Sequence, residues 1–307
     1  MKKTFLISCL TAVIGAVLLM IGFTMGGHPS VYWQNGLHVD AQESQTVKIP
    51  QVTQIVIKGS DYGGVSIRRG DVAAVKVTAY KSQAAKIEFN HHRLTITGRD
   101  HKVVALGNVD DNLHPKPIEV TVPKKTQISQ LTIAGYVNVH VNHLTIKNLT
   151  DHGKAGLTLA NTDVTELFSG PKQTYSDITM TNVRINNALN LNTSGDLTIK
   201  DSDLTRAPTT IHKMNGDVSL HRNTWSTVKI VTTDGDISLA NEIVKNSLQA
   251  QSKDGDINAK ITPKPHEAIK ATSTHGDISL YGKPTYKAGT AAKYQFNTTN
   301  GDIKVYQ

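Results

Sequence analysis

A Gly-Asp pair followed by alternating apolar and polar residues recurs six times in the last third of the chain. Successive copies lie 21, 19, 20, 21 and 25 residues apart, and they begin at Gly195, Gly216, Gly235, Gly255, Gly276 and Gly301. Weaker copies around Asp177, Gly156 and Gly135 extend the series towards the N-terminus. Self-similarity at a fixed period of about 20 residues is typical of stacked repeat folds. The sequence therefore predicts that residues 131–307 form regular coils of a β-solenoid.

Each copy also carries apolar residues two positions apart, as in Ile237 and Leu239. Side chains two apart share one face of a strand, so these residues should point inward and stack into columns. A second apolar position, eight residues after the aspartate position, should form another inward column, with members Leu144, Ile185, Leu204, Trp225 and Val244. Two inward columns predict an all-β, β-helix-like coil that turns a corner between short strands.

The alternation begins earlier in the chain, near Val47, and predicts that residues 47–130 are an N-terminal strand region of the same solenoid. The polar segment 98–117 interrupts this pattern and is predicted to be a surface loop. Apolar residues make up 38% of the chain and aromatic residues 5%, which suits short strands better than a helical core. Since Cys9 is the only cysteine, an intramolecular disulfide and a cysteine-based metal site are both excluded.

The N-terminus is predicted to be a membrane segment. Two lysines precede an apolar run from Thr4 to Met25. Such a run is long enough to span a bilayer, which takes about 20 residues, whereas the core of a signal peptide takes about 7–15. The length favours a retained anchor over residues 1–26, with a cleaved signal as the alternative. The lysines place the remaining chain outside the cytoplasm, and residues 27–46 should act as a tether.

The formal charge of +8 belongs to a chain that is predicted to be exported, so nucleic acid is not an expected partner. Anionic wall polymers and anionic lipid headgroups are the natural counterparts of a basic extracytoplasmic surface. Another envelope protein is a further candidate partner. The alternative is a solvated basic surface that has no dedicated ligand.

The repeated aspartates are the candidate metal ligands. Two unit charges about 5 Å apart repel by about 0.8 kcal/mol in water, so an aspartate column tolerates this repulsion or recruits a cation. Calcium would accept such oxygen ligands, but calcium-dependent β-rolls use a denser Gly/Asp repeat. We therefore favour a turn-forming role, in which glycine supplies positive φ and aspartate accepts backbone amides. The alternative calcium site would use Asp234, Asp236, Asp254 and Asp256.

Enzyme signatures are missing from the sequence. It contains no Gly-x-Ser-x-Gly elbow, no Gly-x-x-x-x-Gly-Lys-Ser/Thr loop and no Cys-x-x-Cys pair. His140 and His143 stand an odd number of residues apart in a predicted strand, which places them on opposite faces. The sequence therefore predicts a non-enzymatic protein without a cofactor. The alternative is a β-helix enzyme that acts on wall polysaccharides and has no linear motif.

The Gly-Asp-Ile-Ser-Leu units, the segment from Gly64 to Asp71 and the strand end from Val120 to Lys125 resemble the bacterial "putative adhesin" family. This family is a domain of unknown function built from β-strand repeats, and the resemblance covers residues 47–307. It implies an exported or membrane-anchored β-solenoid, frequent in Gram-positive envelopes, without established catalytic residues. Some relatives are tied to the response to envelope stress.

The expected function is therefore envelope binding, adhesion or stress sensing by a single-pass cell-membrane protein. The alternative is a structural surface protein that self-assembles through an open coil at its C-terminus, because such a coil would leave backbone groups unpaired.

Overall fold

The computed structural model describes residues 42–60, 63–80, 85–98, 116–170, 175–262, 267–282 and 292–307, together with 105–106 and parts of 1–40. The described residues between Ser8 and Val17 are α-helical and exposed. Among the described residues, no helix has the length and apolar character needed to cross a membrane. Most of the predicted anchor over 1–26 lies outside the described residues.

The described chain is otherwise built from strands, because period-two patterns and turn residues alternate along it. In chain order the strands are β1 (Ser30–Trp33), β2 (Leu37–Asp40), β3 (Gln42–Lys48), β4 (Gln54–Gly59), β5 (Val65–Gly70), β6 (Ala74–Tyr80), β7 (Lys86–Asn90), β8 (Arg93–Thr97), β9 (Ala105–Leu106), β10 (Ile118–Pro123), β11 (Ile128–Gly135), β12 (Val139–Asn142), β13 (Thr145–Gly153), β14 (Leu157–Ala160), β15 (Asp163–Ser169), β16 (Ile178–Thr181), β17 (Arg184–Thr193), β18 (Leu197–Lys200), β19 (Asp203–Leu204), β20 (Thr209–Lys213), β21 (Val218–His221), β22 (Thr224–Asp234), β23 (Ile237–Asp254), β24 (Ile257–Ile261), β25 (Ile269–Ser273), β26 (Ile278–Tyr281), β27 (Tyr294–Thr298) and β28 (Ile303–Tyr306).

Two long sheets enclose one core, so the all-β solenoid predicted from the repeat is confirmed. Sheet I has the order β3-β6-β10-β5-β12-β14-β16-β18-β21-β23-β24-β28-β26. Sheet II has the order β7-β8-β4-β11-β13-β15-β17-β20-β22-β23-β27-β25, with β19 between β17 and β22. Strands β4 and β5 pair in parallel with the coils that follow them, and each later coil contributes a strand to each sheet. The long strand β23 crosses from sheet I to sheet II.

The predicted apolar columns form the core between the two sheets. Ile237 and Leu239 of sheet I are at most 1% exposed, and they pair in register with Val218 and Leu220 of the coil below. Ile185, Leu204, Trp225 and Val244 form the predicted column in sheet II and are all buried. Leu144 is buried too, but it stands outside this column, because Ile146 is the residue that pairs with Val164 and continues to Ile185.

The order of the last two coils differs from the chain order. The sequence predicts that consecutive windows stack on one another, but β27 and β28 insert between the coil of β23 and β24 and the coil of β25 and β26. The coil of β27 and β28 therefore lies between two other coils. The expectation that the open coil is the C-terminal one is wrong. Among the described strands, β25 and β26 end the stack instead, and their coil has Ile278 and Leu280 43% and 38% exposed.

The N-terminal end of the stack is built differently, from antiparallel strands. Strand β3 pairs with β6 in sheet I, and the β7–β8 hairpin ends sheet II. Residues 30–33 and 37–40, which lie within the predicted tether over 27–46, form a hairpin, and β9 pairs with the other edge of β1. Two residues of the predicted surface loop over 98–117 are thus in a strand.

Candidate functional site

The Gly-Asp corners, where the chain passes from sheet II to sheet I, are linked by one repeated hydrogen bond. The backbone N–H of each aspartate donates to the carboxylate Oδ1 of the aspartate in the neighbouring coil, at 2.8–2.9 Å. The resulting ladder runs through Asp177, Asp196, Asp217, Asp236, Asp256, Asp302 and Asp277. Its order follows the stacking order of the coils, so the corner motif is a device for joining coils.

The glycine of the motif is required mainly by the close approach of neighbouring coils. A Cβ on Gly255 would lie closer than 3.0 Å to the carbonyl group of Gly235, and one on Gly301 would meet Gly255 in the same way. Positive φ occurs at Gly216 (80°) and Gly235 (145°), whereas at Gly255 and Gly301 the lack of space alone excludes a side chain. The conformational reason predicted from the sequence therefore applies to only part of the repeat.

Beneath the ladder, inward polar side chains donate to the corner carbonyls. Ser252 Oγ donates to the carbonyl oxygen of Gly235 at 3.2 Å, and Thr298 Oγ1 donates to that of Gly255 at 3.0 Å. Lys213 takes this position under Gly195 and is 4% exposed. Burial lowers the pKa of Lys213 to about 8, although the carboxylates of the ladder act in the opposite direction. The Lys213 amine therefore lies beside the row of aspartate carboxylates, and its positive charge can offset part of their mutual repulsion.

The four aspartates of the predicted calcium site lie on two adjacent coils. Asp234 and Asp254 are in register, while Asp236 and Asp256 each accept a backbone N–H within the ladder. Asp254 Oδ1 accepts from Asn300 Nδ2 at 2.5 Å, a contact that holds the pKa of Asp254 below its usual value together with Lys253. In the described part of the chain, no three acidic, histidine or cysteine side chains form a group suited to a metal ion. Calcium binding here stays a prediction, which calorimetric titration with Ca²⁺ would test.

A second ladder, which was not predicted from the sequence, lies at the opposite corner, where the chain passes from sheet I to sheet II. One residue per coil adopts the left-handed conformation there, with φ between 49° and 59°: His143, Asn161, Asn182, Asp201, Arg222 and Asn241. Asn182 Nδ2 donates to Asn161 Oδ1 at 2.7 Å, and Arg222 makes two hydrogen bonds to Asp201 at 2.6 and 2.8 Å. Apart from glycine, Asn and Asp adopt this conformation most readily. The recurrence of Asn and Asp at a spacing of about one coil was therefore the sequence signal that could have revealed this ladder.

An open polar groove of about 360 Å³ follows this corner. Arg184 lies in it between Asp163 and Asp203, with N···O distances of 3.5 and 3.7 Å. These three residues are paired across adjacent strands, so the charges alternate along the sheet. Because the ion pairs are about half exposed, we assign them a role in fixing the register of the strands more than in stability.

A buried carboxyl group lies just inside the second corner. Glu242 is 3% exposed, and its Oε2 accepts from Trp225 Nε1 at 2.5 Å while Oε1 accepts from the backbone N–H and the side-chain amide of Asn223. Burial raises the pKa of Glu242 to about 7, since these hydrogen bonds only partly offset the loss of water. The core therefore holds a carboxyl group that changes its charge near neutral pH.

The outer face of sheet I, from β12 to β26, differs in charge from both corners. Its outward positions carry exposed Lys200, Lys260 and Lys304, and no described outward residue of these strands is acidic. A row of hydroxyl side chains runs beside them, namely Thr158, Thr179, Thr198, Ser219 and Ser238. At the end of the stack the rings of Tyr281 and Tyr306 are stacked with centroids 4.8 Å apart. The face is therefore basic and rich in hydrogen-bond donors.

His140 and His143 are separated in the structure, but not on opposite faces of one strand as predicted, because β12 ends at Asn142. His140 points outward from β12, whereas His143 stands at the left-handed corner. His92 lies in the β7–β8 turn, where its Nδ1 is 2.8 Å from the carbonyl oxygen of Gln51. These histidines therefore do not share one site.

A model of the family described as Toastrack DUF4097 matches residues 52–306. A crystal structure described as a putative adhesin from Parabacteroides merdae is similar, with 13% identity, a TM-score of 0.51, and coverage of 87% of this chain and 96% of that chain. Two structures from Parabacteroides distasonis, described as a putative adhesin and a putative lipid binding protein, share 13% identity at a TM-score of 0.47 and cover 86% of this chain. The aligned regions make up 97% and 96% of those two chains, respectively. No curated protein matches the chain. At this identity the likeness shows the fold alone.

The buried carboxyl group predicts a specific pH dependence of stability. Because the folded pKa of Glu242, about 7, exceeds the ordinary value of 4.5, its stabilising contribution is complete below about pH 4.5 and is lost as the pH rises through 7. Between pH 5 and pH 8 the loss should be about 2–3 kcal/mol. Glu242→Gln should remove this component of the pH profile of urea unfolding.

Glu166→Gln, a substitution of an exposed glutamate on the outer face of sheet II, is the matched control and should leave the wild-type profile in place. A Glu242→Gln profile that still parallels the wild type would show that this carboxyl group does not titrate as described.

Proposed function

Because the chain belongs to the Toastrack DUF4097 family, we propose that it is a non-enzymatic envelope protein whose solenoid binds phosphate-rich polyanions along its sheet faces. The observation that carries the proposal is the separation of charge in the fold. Most acidic side chains of the repeats are at the corners, where they bond to backbone amides or arginines, whereas the outer face of sheet I is basic. Lys200, Lys260 and Lys304 thus lie on a face whose described outward residues include no carboxylate.

The geometry of this face suits an extended ligand better than a compact one. Neighbouring strands lie about 4.8 Å apart, so equivalent side chains form straight rows along the stack. Lys200 and Lys260 stand in one row and Lys304 in the next. A linear polymer of phosphate groups, or a layer of anionic headgroups, can contact several of these cations and the adjacent hydroxyl row at once.

We propose that the N-terminal apolar run anchors the solenoid in the cell membrane with the solenoid outside the cytoplasm. The run and its preceding lysines support this arrangement. Adhesion, wall binding and envelope-stress sensing would all use the same face. Another envelope protein with an acidic surface would be bound by the same chemistry.

Charge reversal on the face tests the proposal. The variant Lys200→Glu, Lys260→Glu and Lys304→Glu should bind poly(glycerol phosphate) and phosphatidylglycerol vesicles roughly tenfold more weakly, since each exposed charge contact contributes about 0.2–1 kcal/mol. The full chain is held in phosphatidylcholine nanodiscs, and binding is measured by calorimetry for the polymer and by co-sedimentation for the vesicles. Added salt should weaken wild-type binding.

The matched control is Lys86→Glu, Lys124→Glu and Lys125→Glu, which changes the net charge equally but lies outside this face. It should retain most of the affinity. Equal losses in the two variants would mean that net charge alone drives binding, and an unaffected face variant would contradict the proposal.

Self-assembly is the second candidate, and the open coil at the end of the stack favours it. Ile278 and Leu280 are exposed at positions that are buried in the neighbouring coils, and within the described chain β25 and β26 each pair on one side only. We propose that a second copy would dock on this edge. Sedimentation velocity should then show a dimer that Ile278→Lys with Leu280→Lys dissociates, and a wild-type monomer at all concentrations would exclude it.

A further inference from the structure

A hollow of about 420 Å³ lies on the outer face of sheet I, beside the left-handed corner. Its exposed and half-exposed lining residues are Lys200, Ser219, His221, Arg222, Ser238 and Ala240. All of them belong to the segment 175–262, which the structure describes without a gap. The hollow is therefore a defined feature of the face for which we propose polyanion binding.

The hollow exists because one row of the sheet includes a small side chain. Lys200, His221, Ala240 and Lys260 pair in register on four successive strands. Neighbouring strands are about 4.8 Å apart, so long side chains at all four positions would form a continuous ridge. Alanine has only a Cβ, and the ridge is interrupted between His221 and Lys260. A larger residue at position 240 would therefore fill the hollow.

The carboxylate of Asp201 lies beside the hollow, but it is already paired. Arg222 donates to its two oxygens from Nε and Nη2, at 2.6 and 2.8 Å, and this bond holds the pKa of Asp201 below its usual value. Arg222 Nη1 is 3.3 Å from His221 Nε2. Because a guanidinium cannot accept a hydrogen bond, the imidazole accepts there through Nε2. The proton of the neutral His221 ring is therefore on Nδ1, which is a further donor.

The polar groups of the hollow favour an anion that also carries a hydroxyl group. Lys200 is exposed, and its amine supplies donors and a positive charge. Ser219 and Ser238 are in register on adjacent strands, and a serine hydroxyl both donates and accepts. A bare anion only accepts hydrogen bonds, so it would leave the acceptor capacity of the serines to water. A phosphodiester whose linker carries a hydroxyl group uses both capacities.

The polar groove around Arg184 does not offer this combination. Its guanidinium lies between Asp163 and Asp203, and Asp201 lines the groove as well. A phosphate group would meet three carboxylates and one guanidinium there. The hollow is therefore the better anion site of the two.

We propose that the hollow is a subsite for a glycerol phosphodiester, whose phosphate lies against Lys200 and whose free hydroxyl bonds to Ser219 and Ser238. This inference rests on the proposed function and deepens it, because the lysines of the face attract any polyanion, whereas the hollow selects a phosphate with a hydroxylated linker. A volume of about 420 Å³ suits one such unit, since small-molecule sites span about 300–1,000 Å³. A wall polymer and a lipid headgroup can both present this chemistry.

Two polymers that differ only in the hydroxyl group test the proposal. Poly(glycerol phosphate) and poly(trimethylene phosphate) have the same spacing of charges, but the second has no free hydroxyl. Calorimetry with the full chain in phosphatidylcholine nanodiscs should show roughly threefold to tenfold tighter binding of the first polymer. Co-sedimentation with phosphatidylglycerol and phosphatidylethanol vesicles makes the same comparison for a lipid. A preference in either pair supports the subsite and identifies the source of its ligand.

Ala240→Ile should fill the hollow and abolish the preference, while binding of poly(trimethylene phosphate) stays within about twofold of the wild type because the lysines are unchanged. The matched control is Ala160→Ile, which changes an outward residue of the same row on β14 and should keep the preference. A second hollow variant, Ser219→Ala with Ser238→Ala, removes the hydroxyls without adding bulk and should also abolish the preference. Circular dichroism checks the folding of each variant.

A wild type without a preference in either pair, or a folded Ala240→Ile variant that keeps the preference, would overturn the subsite and leave the proposed function in place. Equal weakening of both polymers by Ala240→Ile would overturn it too, because the effect would not concern the hydroxyl. A wild type that binds neither polymer and neither vesicle would instead refute the proposed function, and the subsite with it.

Discussion

The structure depends on one hydrogen bond, repeated from coil to coil, between the backbone N–H of an aspartate and the carboxylate of the aspartate in the adjacent coil. This bond fixes the position of each corner along the stacking axis. The two strands on either side of the corner are then in register with the strands of the neighbouring coil. Register determines which side chains point inward, since a shift by one residue would turn every apolar side chain of a strand outward. The glycine that precedes every ladder aspartate except Asp177 lets the neighbouring backbones approach closely enough for the bond to form.

The same interaction explains where charge is found on the molecule. Carboxylates that serve the corners leave the outer face of sheet I without acidic side chains from β12 to β26 among the described residues, so its lysines are not neutralised within the face. The two buried ionisable groups, Lys213 and Glu242, do not take part in this separation of charge. Lys213 and Glu242 each occupy an inward position near a corner, where burial moves their pKa values towards neutrality. The carboxylates that build the corners are therefore separate from the lysines of the face for which we propose a binding role.

The parts of the fold that repeat could be predicted from the sequence. The alternation around Ile237 and Leu239 and the second position at Trp225 and Val244 identified the two buried columns, because period-two burial depends only on local spacing. The stacking order of the last two coils could not be predicted. Every copy of the corner motif can dock on every other, so the spacing of 25 residues between Gly276 and Gly301 did not reveal which coil would insert between two others.

The second ladder was missed for a different reason. Its positions hold His, Asn, Asp and Arg in turn, and they share a backbone conformation more than a residue type. The burial of Glu242 was not visible either, since burial of a single polar residue is a property of the assembled fold. The four aspartates of the predicted calcium site lie on adjacent coils, but two of their carboxylates have a backbone partner, and calcium binding stays a prediction.

The most direct test of the ladder compares two substitutions of Asp236 by urea unfolding. Asp236→Ala removes the acceptor for the N–H of Asp256 and should destabilise the protein by about 1 kcal/mol. Asp236→Asn keeps a side-chain oxygen at the same position, so its free energy of unfolding should stay within about 0.5 kcal/mol of the wild type. Equal destabilisation by both substitutions would show that the negative charge matters and not the hydrogen bond, and it would contradict the central role assigned to that bond.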